Sequence, residues 1–505
     1  MKSQAAPGVL MILMLGMLTF PVPDALGGRP MPEILLPSPD CPLVDFRIEF
    51  NVGSIHERGG KEGLNYLTAR TVAGGGTVAL TYPEVLDKLY PMAAGLDVQP
   101  GKEVTVFIAT VHRDHLYEFW RLFSDLLLGP RFDEADLARN RDLQLNYLRN
   151  VLRATADEDL GKAGLEEFIY QNHPYRHTVE GTLKAVESFT LEDVKEFYRK
   201  HYTRGNVIIG LAGGYPEDFP ALVRSTLARL PRGRVRSIAL PHTRPIQGIQ
   251  VRLIEKPTSA TAISIGFPIK INRSQEDFPA LFFANSYLGE HRTFKGQLMR
   301  HLRGDRGFNY GDYSYAEYFE EEPGTVYPLT NIPRRDQYFS IWLRPVAHRD
   351  AHFCLRAAIR KLEQLVDDGM TEEEFEQTRG FLLGYTKLWG QSMSRRLGYA
   401  MDADFYGLDR DYLGWLDSGI RNLNVHKVNL AVRKYLQADH LKVVMVTEDA
   451  EAVKKALVSD APSPVAYDVP KPDEILEEDR EIEKYSLKIT EKNVEIVSAR
   501  RMFEE

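Results

Sequence analysis

"DEADLARNRDLQLNYL", Asp133 to Leu148, has a second version further along the chain: "TEEEFEQTRGFLLGYT", Thr371 to Thr386. At an offset of 238 residues Leu137 falls on Phe375, Arg141 on Arg379, Leu143 and Leu145 on Phe381 and Leu383, and Tyr147 on Tyr385. Another pair follows in the same order. "LEDVKEFYRKHYTRGNVIIGLAG" (Leu191 to Gly213) matches "VHKVNLAVRKYLQADHLKVVMVT" (Val425 to Thr447) at an offset of 234, with Val194 on Val428 and Asn206 on His440. Both members of this second pair read as an amphipathic helix running into a β-branched strand. Two segments in one order, at nearly one offset, point to a duplicated domain.

The rest of the chain agrees with α+β modules. In "RDHLYEFWRLFSDLLLGP" the residues Leu116, Phe119, Leu122, Phe123, Leu126 and Leu127 make one helical stripe, stopped by Gly129-Pro130. "FTLED" and "MTEEE" carry capping pairs, Thr190 with Asp193 and Thr371 with Glu374. Strands are expected at "VDFRIEFNVGS", "KEVTVFIATV", "NVIIGLAG", "ISIGFPI", "QYFSIWLRPV" and "LKVVMVT". The halves are divided by "LPRGRVRSIALPHTRPIQG", rich in Pro, Arg and Gly, which reads as an exposed linker over residues 231–248. The expected domains are then residues 39–230 and 249–465. An acidic run, "DEILEEDREIEKYSLKI", dominates residues 466–505 and reads as a solvated tail.

A length of 505 residues suits two domains of about 200 residues each. The composition, 43% hydrophobic and 27% charged, is that of a globular protein. A formal net charge of -8 argues against nucleic acid as the partner, since phosphate binding needs clustered Lys and Arg. At the N-terminus, Lys2 precedes the apolar run "VLMILMLGMLTF" and then "DALGG", where Ala25 and Gly27 have signal-peptidase spacing. The run is shorter than the roughly 20 residues of a membrane span. Residues 1–27 are therefore expected to be a signal peptide, the protein to be periplasmic or extracellular, and no span to remain after removal. Cys41 and Cys354 fall in different halves and read as two separate thiols.

One stretch raises a chemical question. "GSIHERGGKEGLNYLTARTVAGGGT" supplies Gly53-Ser54, then Gly63 before a helix, then Gly76-Thr77. In that order, and with "NHPYRHTVEGTLKAVESFTLEDVKEFYRKHYTRGN", "ALFFANSYLGE" and "LMRHLRGDRGFNYG" behind it, the chain resembles the pitrilysin/insulinase family of zinc peptidases from roughly Pro39 to Leu457. The resemblance implies two homologous metallopeptidase-like domains, each a mostly antiparallel sheet covered by helices. It also locates the family's zinc site. Two histidines and a glutamate on the first helix would stand at Tyr66, Arg70 and Ala69, and the third ligand, a glutamate, at Tyr147. None of these residues suits the task. Arg has no lone pair to donate and stays charged, and Ala cannot take a proton from water. The remaining histidines are scattered, and His112 and His115 read as surface residues at a helix start. No metal is expected in this chain.

A second active-site element of that family is an Arg followed seven residues later by a Tyr. Here these are Arg303 and Tyr310, in a frame of Gly307, Asn309 and Gly311. Arg offers fixed donors to peptide carbonyls, and a Tyr hydroxyl can donate to an oxyanion. Some members of the family are heterodimers in which one subunit carries zinc and the other supplies this pair. This chain resembles the second kind, although "YLGEHRTFKGQL" stands where some such subunits have a glycine-rich substrate loop. The expectation is a non-catalytic, substrate-binding subunit of a zinc endopeptidase. It would be inactive alone, with zinc in a homologous partner and unfolded peptide as substrate. The alternative is a structural or peptide-binding module that kept the fold without the chemistry.

Overall fold

A computed structural model describes residues 31–233 and 237–505. The expected signal peptide, 1–27, lies outside the described residues. The first sheet contains β1 (Glu33–Pro37), β2 (Leu43–Phe50), β3 (Gly95–Pro100), β4 (Thr105–His112) and β5 (Val207–Gly213). The second contains β6 (Gln250–Glu255), β7 (Thr261–Ile269), β8 (Asp312–Tyr315), β9 (Gln337–Val346), β10 (Lys442–Thr447) and β11 (Val494–Ser498).

The strand orders carry the duplication. The first sheet runs β1-β5-β2-β4-β3 and the second β11-β6-β10-β7-β9-β8. With β11 set aside, the second order repeats the first strand for strand. The one parallel pair recurs as well: β1 lies parallel to β5, and β6 parallel to β10. The pairs β2–β5, β2–β4 and β3–β4 are antiparallel, as are β7–β10, β7–β9 and β8–β9. Two homologous α+β domains, each a mostly antiparallel sheet covered by helices, are therefore present. The two sequence repeats are the helices Glu134–Asn146 and Glu372–Trp389, and the helix-strand units Leu191–Gly213 and Val425–Thr447.

Each domain lends a helix to the other. The helix Asp157–Ile169, from the first half of the chain, packs on β7, β9 and β10 of the second sheet. The helix Met393–Phe405, from the second half, packs on β1, β2 and β5 of the first. Both crossings depend on glycine. A Cβ at Gly164 would come within 2.9 Å of Ile254 Cδ1, and one at Gly210 within 2.5 Å of Met401 Sδ. The missing side chain lets helix and sheet close up. The crossing is also cemented by charge. Glu166 lies 2.8 Å from Lys102 Nζ and 2.9 Å from an Arg334 nitrogen, all three buried.

Two boundaries differ from the sequence reading, and the linker does not. β1 lies before residue 39, and its parallel pairing with β5 makes it part of the first sheet. Among the described residues 231–248 there is no helix or strand. The region 466–505 is folded rather than a solvated tail. It forms the helix Asp473–Ile482 and then β11, which pairs parallel with β6. Its acids have basic partners: Arg306 reaches Asp479 at 2.8 Å and Glu478 at 2.9 Å, and Lys361 reaches Glu478 at 3.2 Å. Ile482, Leu487 and Ile489 enter the second core. The last residues cross back, with Met502 and Phe503 buried in the first core. The Leu183 and Lys184 N–H groups donate to the carbonyls of Phe503 and Glu504 at 3.0 and 3.1 Å. No described helix is long and apolar enough to cross a membrane.

Phe503→Ala is expected to destabilise the protein by about 3 kcal/mol, in the range for a buried aromatic cut to Ala. Equilibrium urea unfolding measures this, and a solvated tail would give no change.

Candidate functional site

The helix at the expected zinc position runs from Leu64 to Ala73. Its first turn is held by a side chain from upstream. The Glu57 carboxylate accepts from the Gly63 N–H at 3.0 Å and the Asn65 N–H at 2.7 Å, which satisfies donors that a helix start leaves open. Burial pushes Glu57 up to about 8, against these hydrogen bonds. His177 Nε2 stands 3.7 Å from Glu57, and burial pulls that histidine down to about 4.

The four positions do not fit a zinc ion. Ala69 is fully buried in the first core. Tyr66 and Arg70, one helical turn apart, stack with the guanidinium 5.4 Å from the ring centroid. Arg70 Nη1 pairs with Asp97 on β3 at 2.6 Å, so this side chain ties the helix to the edge of the sheet. Its positive charge occupies a position that would have to coordinate a cation. Tyr147 lies on a different element, a π-helical turn over Tyr147–Leu152 that continues the helix Glu134–Asn146. Burial raises both phenols, Tyr66 and Tyr147, and the Glu180 carboxylate adds to the rise in each. Neither is a ready anionic ligand. Among the described residues no group of three His, Cys, Asp or Glu side chains is placed to hold a metal ion.

A cavity of about 460 Å³ opens between the domains beside these residues. Tyr147, Lys102, Glu166 and Glu180 line it from the first half of the chain, and Tyr315 and Trp342 from the second. Nothing in the sequence reading singled out Glu180. The signal was available, since it stands one residue before Gly181 in "HTVEGT" behind the His-Pro-Tyr segment. Burial raises its carboxyl from the ordinary 4.5 to about 7, and Glu320 adds to this.

Arg303 and Tyr310 are brought together. Arg303 lies in a second π-helical turn, Met299–Gly304. Its guanidinium is 5.9 Å from the Tyr310 ring centroid. Tyr310 stands two residues before β8 and is 78% exposed. The loop that presents it is pinned by Asn309, whose amide donates to Asp312 at 2.7 Å and to the Arg344 carbonyl at 3.0 Å. The Gly311 N–H donates in turn to Asn309 Oδ1 at 3.2 Å. Asp312 is buried behind the pair, and burial pushes it up to about 8 although Asn309 and Arg303 pull the other way. Arg303 donates no hydrogen bond to a described residue, and neither does the Tyr310 hydroxyl. The pair does not border the 460 Å³ cavity; β8, just beyond it, gives Tyr313 and Tyr315 to that wall.

Similar proteins fit this picture. Residues 188–382 match the family described as "Peptidase M16 inactive domain". The chain is 21% identical to a "Non-peptidase homolog YmxG" of Helicobacter pylori, over 64% of this chain and 70% of the other. It is 20% identical to an "Uncharacterized zinc protease YmxG" of Bacillus subtilis, over 81% and 94%. In fold it matches a crystal structure of a peptidase M16 inactive domain from Pseudomonas fluorescens. The TM-score is 0.73 at 23% identity, over 83% of this chain and 95% of that one.

Glu180 generates a pH signature. Its value in the folded protein lies above the ordinary carboxyl value, so the folded state holds the extra proton from roughly pH 4.5 to 7. The stability this lends is complete at low pH and is lost as the pH rises through that window. Glu180→Gln should therefore match the wild type near pH 4.5 and exceed it in melting temperature at pH 8. Thermal melts across that range check the sign.

Proposed function

We propose, on the premise that residues 188–382 match the family described as "Peptidase M16 inactive domain", that this chain is the non-catalytic, peptide-binding subunit of a zinc-dependent endopeptidase. The observation that carries the reading is the Arg303–Tyr310 pair. Both side chains have open donors, Tyr310 is exposed, and the loop beneath them is fixed by Asn309. An extended peptide gives Arg303 backbone carbonyls to hold, through N–H groups in a rigid plane. The Tyr310 hydroxyl donates to the oxygen that gains negative charge as water attacks a peptide carbonyl. The metal-dependent half of the site belongs to a homologous partner in this reading, since Tyr66, Ala69, Arg70 and Tyr147 cannot supply it. Both sheets end in an edge strand on this side of the fold order, β3 and β8, and an unfolded peptide can add to such an edge. The apolar N-terminal run supports export, so the assembly would work in the periplasm or outside the cell.

The test compares hydrolysis of an unfolded reporter peptide by this chain, by a zinc-motif homologue from the same genome, and by the mixture. The mixture is expected to cleave and this chain alone is not; metal analysis of the purified chain is expected to find no stoichiometric zinc. In the mixture Tyr310→Phe should lower kcat about 100-fold, the loss typical of one oxyanion donor, and Arg303→Ala should raise KM. Unchanged kinetics in both variants would leave the chain a peptide-binding or structural module.

A further inference from the structure

Between the helix Phe278–Gly289 and the π-helical turn that carries Arg303, the chain passes through "EHRTFKGQ". The base of this segment is anchored. His291 contacts the Tyr315 hydroxyl at 2.7 Å and Glu321 at 2.8 Å, and Arg292 pairs with Glu321 at 3.2 Å. Arg292 turns the backbone with a φ of 53°. Phe294, two residues on, is then left outside, 70% exposed. It stands with its centroid 4.8 Å from the Arg303 guanidinium, nearer than the Tyr310 ring at 5.9 Å.

Resting on the reading above, we propose that Phe294 is a positioning residue for Arg303. Its ring holds the guanidinium so that the N–H groups stay free for the backbone of an extended peptide. The physics favours a ring for this purpose. A cation over an aromatic face is attracted by the ring quadrupole, and that attraction uses none of the N–H donors. A carboxylate would hold the arginine more firmly and would occupy those same donors. Arg also has many rotamers to lose, and a side chain held in advance binds its ligand at lower entropic cost. The ligand class that follows is the peptide backbone itself: carbonyls of an unfolded chain, read with little regard to side chains.

Fluorescein-labelled β-casein, a disordered polypeptide, serves as the probe, and its anisotropy reports binding to the full chain. Phe294→Ala and Phe294→Leu are expected to weaken binding about three- to fivefold, the size of one exposed cation–ring contact. Leu keeps the apolar bulk and lacks the ring, whereas Phe294→Trp keeps the ring and should bind as wild type. The double variant F294A/R303A should bind no more weakly than R303A, because the ring acts through the arginine. Melting temperatures of all variants should be unchanged, Phe294 being exposed. Wild-type affinity in F294L, or a further loss when F294A is added to R303A, overturns the positioning role while leaving Arg303 in place. Wild-type affinity in R303A, or no binding by the wild type, overturns the proposed function and this inference with it.

Discussion

The crossing of the helix Asp157–Ile169 onto the opposite sheet is the constraint on which the rest of the molecule depends. That helix belongs in sequence to the first domain and in space to the second. Met393–Phe405 makes the reverse crossing. Neither sheet has its full cover until both halves of the chain are present, so the two domains form one cooperative unit. Charge reinforces the geometry. Burial alone would raise Glu166, yet Arg334 and Lys102 hold it below the usual carboxylate range. A buried carboxylate in such a cluster is tolerable only with its partners in place, and removing one leaves the others unpaired at a cost of about 3–5 kcal/mol. Arg334 comes from the second half and Lys102 from the first, so this cost falls on any motion that separates the domains. The C-terminal residues add a further tie, running from β11 back into the first core through Met502 and Phe503.

Within that unit the positions at which the sequence reading expected zinc ligands make contacts within the fold. Ala69 fills core volume, Arg70 ties its helix to β3 through Asp97, and Tyr66 lies against the same arginine. Tyr147 faces the cavity between the domains with its phenol kept neutral by burial. Glu57 caps the helix start, which fixes the helix Leu64–Ala73 in place. An arginine salt bridge and an aromatic contact stand at the positions where the sequence reading expected zinc ligands.

Much of this was legible from the chain. The repeat at offsets of 238 and 234 residues gave the duplication because the two helices bury the same stripe and the strands behind them are central and apolar. The six strands read from sequence are all present, since central strands carry dense β-branched runs. Edge strands were not visible. β3, "GLDVQP", has Gly and Pro at its ends, and β8 is four residues long. The acidic segment was misread because charge alone does not distinguish water from an arginine partner: Glu478 and Asp479 face Arg306, and the apolar residues that fold the segment are widely spaced. The helix exchange has no local signal at all, because Gly161 and Gly164 look like poor helix formers until the sheet beneath them is known. At the site, Tyr66, Ala69, Arg70, Tyr147, Arg303 and Tyr310 could be located by position in a pattern. Phe294 could not, because a single aromatic in a loop has no period and no frame.

Burial separates the two groups of site residues by their use. Ala69 and Glu57 sit in packed surroundings, where each contributes to holding the fold. Phe294 and Tyr310 are mostly exposed, so truncating either removes little buried area and little stability. Arg303, between them, rests in a π-helical turn, a rare local geometry. Folding gains almost nothing from two open aromatic rings and a cation with free donors. A contact with another molecule would gain from all three: the rings supply apolar area, and the arginine supplies directed hydrogen bonds at little entropic cost. Ala69 is buried and Tyr66, Arg70 and Tyr147 are half-buried, each with neighbours inside the fold, whereas Phe294 and Tyr310 lie mostly outside it.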